Sequence, residues 1–191
     1  KMFHHSLQSI AVPMIADLYH QDELGQLGRV YQTITRWGMT FNLPVFLTLA
    51  IFAKPLLAIF GSEFVAGAAG MTILAFGTLF NASTGVCGSV ITMTGRSKLT
   101  FTNSIIYLVA NLVLDLLFIP RWGSVGAALA VTLSTVLINI LRTIQVLVFF
   151  RLWPYDRRFL KPIIASVLAS GVAYFVNQRS PFTTVIVRVI V

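Results

Sequence analysis

Five long apolar runs, at residues 41–60, 69–93, 101–119, 125–150 and 162–176, follow one another along the chain with only short loops between them. A helix needs ~20 apolar residues to cross a ~30 Å hydrocarbon layer; each run except the last reaches about that length, and the last falls slightly short. Composition agrees, since 57% of the 191 residues are hydrophobic and only 10% are charged. A soluble domain of this size keeps far more charge on its surface. The expected fold is all-α, a polytopic transmembrane helix bundle.

Charge orients the bundle. The formal net charge is +8, but the basic residues form no patch with interleaved aromatics, so no nucleic-acid partner is indicated. They fall in alternate loops. Arg29 and Arg36 precede the first run, Arg96 and Lys98 follow the second, and Arg151, Arg157, Arg158 and Lys161 follow the fourth. The intervening loops hold Lys54 near Glu63, then Arg121, then Arg179. By the positive-inside rule the three basic loops are cytoplasmic. Trp37, Trp122 and Trp153 each mark a junction between loop and run, where amphipathic rings prefer the headgroup level.

Four segments are expected. Residues 1–19 read as the end of a truncated transmembrane helix. Residues 20–36 carry Leu24, Leu27, Val30, Tyr31 and Ile34 at helical spacing, which predicts an amphipathic helix on the cytoplasmic surface. Residues 37–178 form a bundle of five helices, and 179–191 the start of a truncated final helix. Beginning at Lys1 and stopping at Val191 within an apolar stretch, the chain reads as a fragment. Pro44 and Pro55 lie inside the first run and are expected to bend it at one or both positions. The single cysteine, Cys87, falls mid-run as a buried thiol.

Polar groups inside a membrane are costly and face a bundle interior or a wet cavity. The third run carries Asn103, Tyr107, Asn111 and Asp115 at successive i, i+4 steps, one stripe along the helix. The fourth carries Thr132, Thr135, Asn139 and Arg142, and a short hairpin joins the two. At ~1.5 Å per residue, Asn111 is about level with Asn139 and Arg142 with Tyr107, while Asp115 stands roughly 9 Å higher than Arg142. A direct ion pair between the last two is therefore not expected.

Helix-to-helix hydrogen bonding accounts for Asn103, Asn111 and Asn139 as well as a binding site does. Arg142 is different, because ~12 Å from the cytoplasmic end is deep for snorkelling, which points to a cavity. Asp115, ~6 Å below the outer end, is within reach of water with or without one. Asn81, Gly85 and Ser89, and likewise Gly126, Ala130 and Ser134, recur at i, i+4, i+8 and read as small-residue packing seams. His4 and His5 lie near the start, where imidazoles can meet an anion or a neighbouring helix. No metal-ligand spacing accompanies them, and neither a nucleophile-base constellation nor a phosphate loop occurs, so neither metal, cofactor nor enzymatic chemistry is expected.

The succession A-V-P-M-I-A from Ala11, Y-Q-T-I-T-R-W from Tyr31, L-P-V-F-L from Leu43, F-G-S-E-F from Phe60, M-T-G-R from Met93 and I-P-R-W-G-S-V-G-A-A from Ile119 resembles the carboxyl-terminal half of prokaryotic polysaccharide-biosynthesis flippases. That family shares a superfamily with the multidrug and toxin extruders and the lipid II flippases. The resemblance covers 7–162. It implies an intact protein of about fourteen helices in two pseudo-symmetric lobes around a central site, with this chain supplying most of the second lobe and an amino-terminal lobe as its partner. It further implies a bacterial or archaeal cytoplasmic-membrane protein that moves a polyprenyl-diphosphate-linked oligosaccharide across the bilayer by alternating access. Arg142 is the first choice to hold the anionic headgroup, His4 and His5 the next, with Asn111, Asn139 and Tyr107 lining the site. The alternatives are a cation-coupled multidrug exporter using Asp115, a non-transporting membrane scaffold and an integral-membrane glycosyltransferase. Loop carboxylates for a sugar donor's metal would mark the last, and the acidic loop residues are only Asp22, Glu23, Glu63 and Asp156.

Overall fold

A computed structural model of the chain describes residues 12–156 together with 159, 160, 163, 164, 166 and 171. Helices dominate, and no strand occurs among the described residues. The first, α1, covers residues 12–20 and ends in a turn at Asp22, whose φ of 57° is left-handed. From there α2 runs as Leu24–Ala58, 35 residues. At ~1.5 Å per residue it is ~50 Å long, well beyond the hydrocarbon thickness.

The amphipathic segment is thus not a separate surface helix, as expected above, but the first part of α2. No helix breaker separates it from the apolar run, and its apolar stripe finds protein to bury against. Leu27 and Tyr31 are fully buried in a cluster with Ile15 of α1 and with Val90 and Val146 further along the chain. Gly38 continues that contact line, for a Cβ there would come within 3.1 Å of the Ala82 carbonyl. One of the two expected bends is present. Phe52 departs from helical geometry (φ −106°, ψ 17°), three residues ahead of Pro55, whose ring cannot accommodate the carbonyl four residues back. No such departure occurs at Pro44.

The run at 69–93, expected as one helix, is broken. A 3-10 turn, Ser62–Gly67, leads into α3, Ala68–Ser83; three turn residues follow, then a short α4, Cys87–Met93. Gly85 makes the break, with φ +68°, and a Cβ there would collide with Thr35 Oγ1. Asn81, Gly85 and Ser89 therefore form no continuous packing seam.

The third and fourth runs form a hairpin, α5, Ser97–Phe150, folded back on itself at Gly123 (φ 55°, ψ −129°), a conformation only glycine adopts readily. Here Gly126 does pack, its α-carbon pressed against the Phe118 carbonyl of the opposite arm. The outgoing arm shows a wide apolar face, with Phe101, Leu108, Leu112 and Leu116 each more than half exposed, as a lipid-facing helix requires. Arg151, left-handed, ends the hairpin and donates its N–H to the Leu147 carbonyl at 3.0 Å. Among the described residues three helical segments are long and apolar enough to cross a membrane, Leu24–Ala58, Ser62–Ser83 and Ser97–Phe150, and the last, being a hairpin, supplies two passes. The protein is an all-α, multi-pass membrane bundle. Most of the fifth run, at 162–176, and the terminal segments 1–11 and 179–191 lie outside the described residues.

Candidate functional site

Three side chains converge where α3 breaks: Asn81 near its end, and Asn139 and Arg142 one turn apart on the returning arm of α5. Asn139 Nδ2 donates to Asn81 Oδ1 at 3.0 Å and to the Thr135 carbonyl at 2.9 Å. Its Oδ1 accepts from Thr84 Oγ1 at 3.2 Å and from Cys87 Sγ at 3.8 Å. Both amide hydrogens and both acceptor positions are thereby used. Asn139 is a junction that ties α3, α4 and the hairpin together, with no hydrogen-bonding capacity left for a ligand. Behind it the Tyr31 hydroxyl, fully buried, donates to the Thr84 carbonyl at 3.0 Å and satisfies a group that the break removes from the helical ladder.

Arg142 has the opposite character. It is half-buried, yet it makes neither a hydrogen bond nor an ion pair among the described residues. Two cavities meet at it, each lined by Asn81, Asn139 and Arg142. One, of about 310 Å³, lies between α4 and the hairpin and adds Ser89, Thr92, Thr100 and Asn103 together with Val86, Ile91 and Met93. The other, of about 560 Å³, lies between α3 and the hairpin and adds Leu74, Tyr107, Val131 and Ile138 together with Thr78, Thr132 and Thr135. An unpaired guanidinium between two such spaces can bind an anion bidentately, because its fork of donors is planar and permanently charged.

Of the residues expected to form the site, Arg142, Asn139 and Tyr107 come together. The level of Tyr107 with Arg142 holds, since both line the larger cavity. Asn111 and Asp115 lie farther along the outgoing arm and line neither cavity. Asn111 Nδ2 is buried with no hydrogen-bond partner among the described residues, and Asp115 forms no ion pair there. His4 and His5 fall outside the described residues. Sequence reasoning overlooked two participants. Asn81 was hidden among small residues, and Gln145, which pairs with Asn103, was detectable only as an amide at matching depth on the facing arm.

The chain is similar to proteins named for glycan assembly. It is 28% identical over 134 residues to the capsular polysaccharide biosynthesis protein CapF of Staphylococcus aureus, covering 70% of this chain and 34% of that protein. To the probable low-salt glycan biosynthesis flippase Agl15 of Haloferax volcanii it is 26% identical over 134 residues, covering 70% of this chain and 28% of the relative. An uncharacterized membrane protein of Methanocaldococcus jannaschii, MJ1068, is 24% identical over 130 residues, 66% of this chain and 25% of its own length. The matched region is thus about a third or less of each relative. No family model matches the chain. The similarities support a flippase-like family.

Proposed function

We propose that the protein containing this chain is a transporter, not an enzyme, that translocates a polyprenyl-diphosphate-linked oligosaccharide across the cytoplasmic membrane of a bacterium or archaeon. The observation that carries this reading is Arg142, a membrane-embedded guanidinium with no carboxylate partner among the described residues, at the meeting of two cavities. Placing such a charge within a membrane helix costs at least ~2.5 kcal/mol on insertion scales, and a bound diphosphate offsets that cost while water holds the site between substrates. The relatives' names supply the glycan. A second lobe, facing these cavities from the rest of the protein, completes the passage and rocks against this one. A cation-coupled exporter built on Asp115 has less support, because that carboxylate lines neither cavity.

The test is glycan export in a flippase-deficient strain. Arg142→Gln is expected to reach wild-type abundance in the membrane and lose most export, with Arg142→Lys partly active because a point charge lacks the bidentate fork. Normal export by Arg142→Gln at equal abundance removes the assignment.

A further inference from the structure

Between the arms of α5 two buried polar atoms share a level and have nothing to bond. The arms are pinned at two places: near the turn, where Gly126 meets the Phe118 carbonyl, and toward the open end, where Asn103 and Gln145 exchange hydrogen bonds. Ser134 continues the row of Gly126 and Ala130 that faces the outgoing arm, and it is wholly buried while Leu133 and Leu137 beside it are exposed. On the other arm Asn111 is part-buried among exposed Val109, Leu112 and Val113, so it too is turned inward. Counted from the first pin, Asn111 is seven residues along its arm and Ser134 eight; from the second the counts are eight and eleven. By either count the two stand within ~5 Å of the same level, less than one helical turn. Neither Asn111 Nδ2 nor Ser134 Oγ has a hydrogen-bond partner among the described residues, and neither has surface open to water. One such orphan is uncommon in a folded protein; two at one level on facing helices point to a shared partner.

The larger cavity ends against this place. Tyr107, one turn before Asn111, lines it, and so do Val131, Thr135 and Ile138, on the turns that flank Ser134. The Tyr107 hydroxyl makes no hydrogen bond among the described residues, so no polar contact holds the ring against the seam. Rotation of that ring into the cavity makes room between Asn111 and Ser134. We infer that this room is a closed annex of the larger cavity, with Tyr107 as its door, and that its ligand is water. A water there accepts from Asn111 Nδ2, donates to Ser134 Oγ and keeps its second hydrogen for the Tyr107 hydroxyl or for water in the cavity. Those are the three bonds a buried water ordinarily makes. A cation does not suit the place, because Asn111 presents N–H groups to it, and no charged side chain is there to hold an anion. Beyond Ser134 the row continues as Ala130 and Gly126, whose side chains offer water nothing, so the annex ends at Ser134. The annex stands or falls on the α5 seam alone, whether or not Arg142 binds an anion.

A thiol proton reports whether water enters. The experiment uses the full-length protein in phosphatidylcholine nanodiscs, with Cys87 and any other cysteine replaced by alanine. Ser134→Cys, nearly isosteric, puts a thiol at the annex, and Val146→Cys puts one in the fully buried apolar cluster as a dry reference. After transfer to heavy water, infrared absorption follows the conversion of S–H to S–D. Ser134→Cys is expected to exchange at least about ten-fold faster than Val146→Cys. Adding Asn111→Leu takes away the other ligand of the water and should slow exchange at position 134 about ten-fold, roughly the worth of one hydrogen bond. Adding Tyr107→Ala removes the door and should speed it. Exchange as slow at position 134 as at 146 overturns the inference, and that comparison needs neither further substitution to fold. Fast exchange that neither Asn111→Leu nor Tyr107→Ala alters overturns it as well, since water then reaches the seam by a route that does not pass these residues.

Discussion

Asn103 and Gln145 exchange both of their side-chain amide hydrogen bonds across the α5 hairpin, Asn103 Nδ2 to Gln145 Oε1 at 2.7 Å and Gln145 Nε2 to Asn103 Oδ1 at 2.9 Å. Two parallel bonds between planar groups fix the axial register of the arms as well as their separation. From that register, equal steps along each arm bring Tyr107 opposite Leu141, next to Arg142. Gln145 is also one helical turn from Arg142, so the pair sets where the cation stands relative to the α4 side of the smaller cavity.

Removing one member of this pair leaves the other's amide without its partner in the membrane interior. Asn103 is almost completely buried, so Gln145→Leu should destabilise by roughly 1–3 kcal/mol, the penalty for an orphaned buried polar group. The double substitution Asn103→Leu with Gln145→Leu orphans nothing, and should cost less than the sum of the two single changes. Thermal unfolding of the purified protein in detergent gives the comparison. Strictly additive losses would mean that the two amides are not energetically coupled.

Gly85 is the position where the break tolerates least. Alanine there meets two separate penalties, a left-handed φ of +68° and a collision with Thr35 Oγ1. The first costs of order 1–2 kcal/mol and the second adds to it. Gly85→Ala is expected to lower folded yield sharply. Adding Thr35→Ala removes the hydroxyl and should restore part of the loss, with the conformational part remaining. Fluorescence-detected size exclusion measures both, and complete rescue would show that the backbone conformation contributes nothing.

Much of this was readable in the residues and some was not, for definable reasons. Hydropathy locates a membrane pass by length, so the runs at 41–60, 101–119 and 125–150 appear in the structure close to where they were expected. It cannot see a break inside an apolar run. The signal at 84–86 is one glycine among small apolar neighbours, and what opens the helix there is tertiary: the Tyr31 hydroxyl on the Thr84 carbonyl, from a residue 53 positions away. The polar stripe was visible as a period, and Arg142 stood out by depth. Which stripe members are consumed by one another is a question of partner geometry, which is why Asn139 proves to be saturated and Asn81 was passed over. The amphipathic segment misled in an instructive way. A helix with one apolar face fits a membrane surface and a protein groove equally well, and only the presence of α1 and α4 decides between them.

Two contacts near the loop after α5 should differ widely in weight. Arg36 and Asp156 approach at 4.0 Å with side chains 29% and 41% exposed, a geometry in which an ion pair contributes ~0–1 kcal/mol. Tyr31→Phe, by contrast, orphans the buried Thr84 carbonyl and should cost roughly 1–3 kcal/mol. Asp156→Ala should therefore leave the melting temperature nearly unchanged while Tyr31→Phe lowers it clearly. Equal shifts would mean that the pair at the surface is more deeply shielded than its exposure indicates.

The break between α3 and α4 leaves two topologies open in principle, a helix that continues across the membrane after an interruption and a loop that re-enters on the side it came from. Packing against the returning arm of α5 distinguishes them. Gly70 lies against Ser124 and Ala128, Gly77 against Thr132, and Asn81 is bonded to Asn139. Beyond the break, Val90 and Ile91 share a core cluster with Val146 and Phe150. The partners advance steadily along α5, so α3 and α4 travel in one direction from the hairpin turn to its open end. Ser62 and Ser97, both exposed, must then lie on opposite faces of the membrane. By the positive-inside rule the basic pair Arg96 and Lys98 is expected to place Ser97 in the cytoplasm. With Cys87 buried and silent, Ser62→Cys should react with an impermeant maleimide in intact cells, and Ser97→Cys only after permeabilisation. Reaction of both from the same side would establish a re-entrant α3–α4 unit.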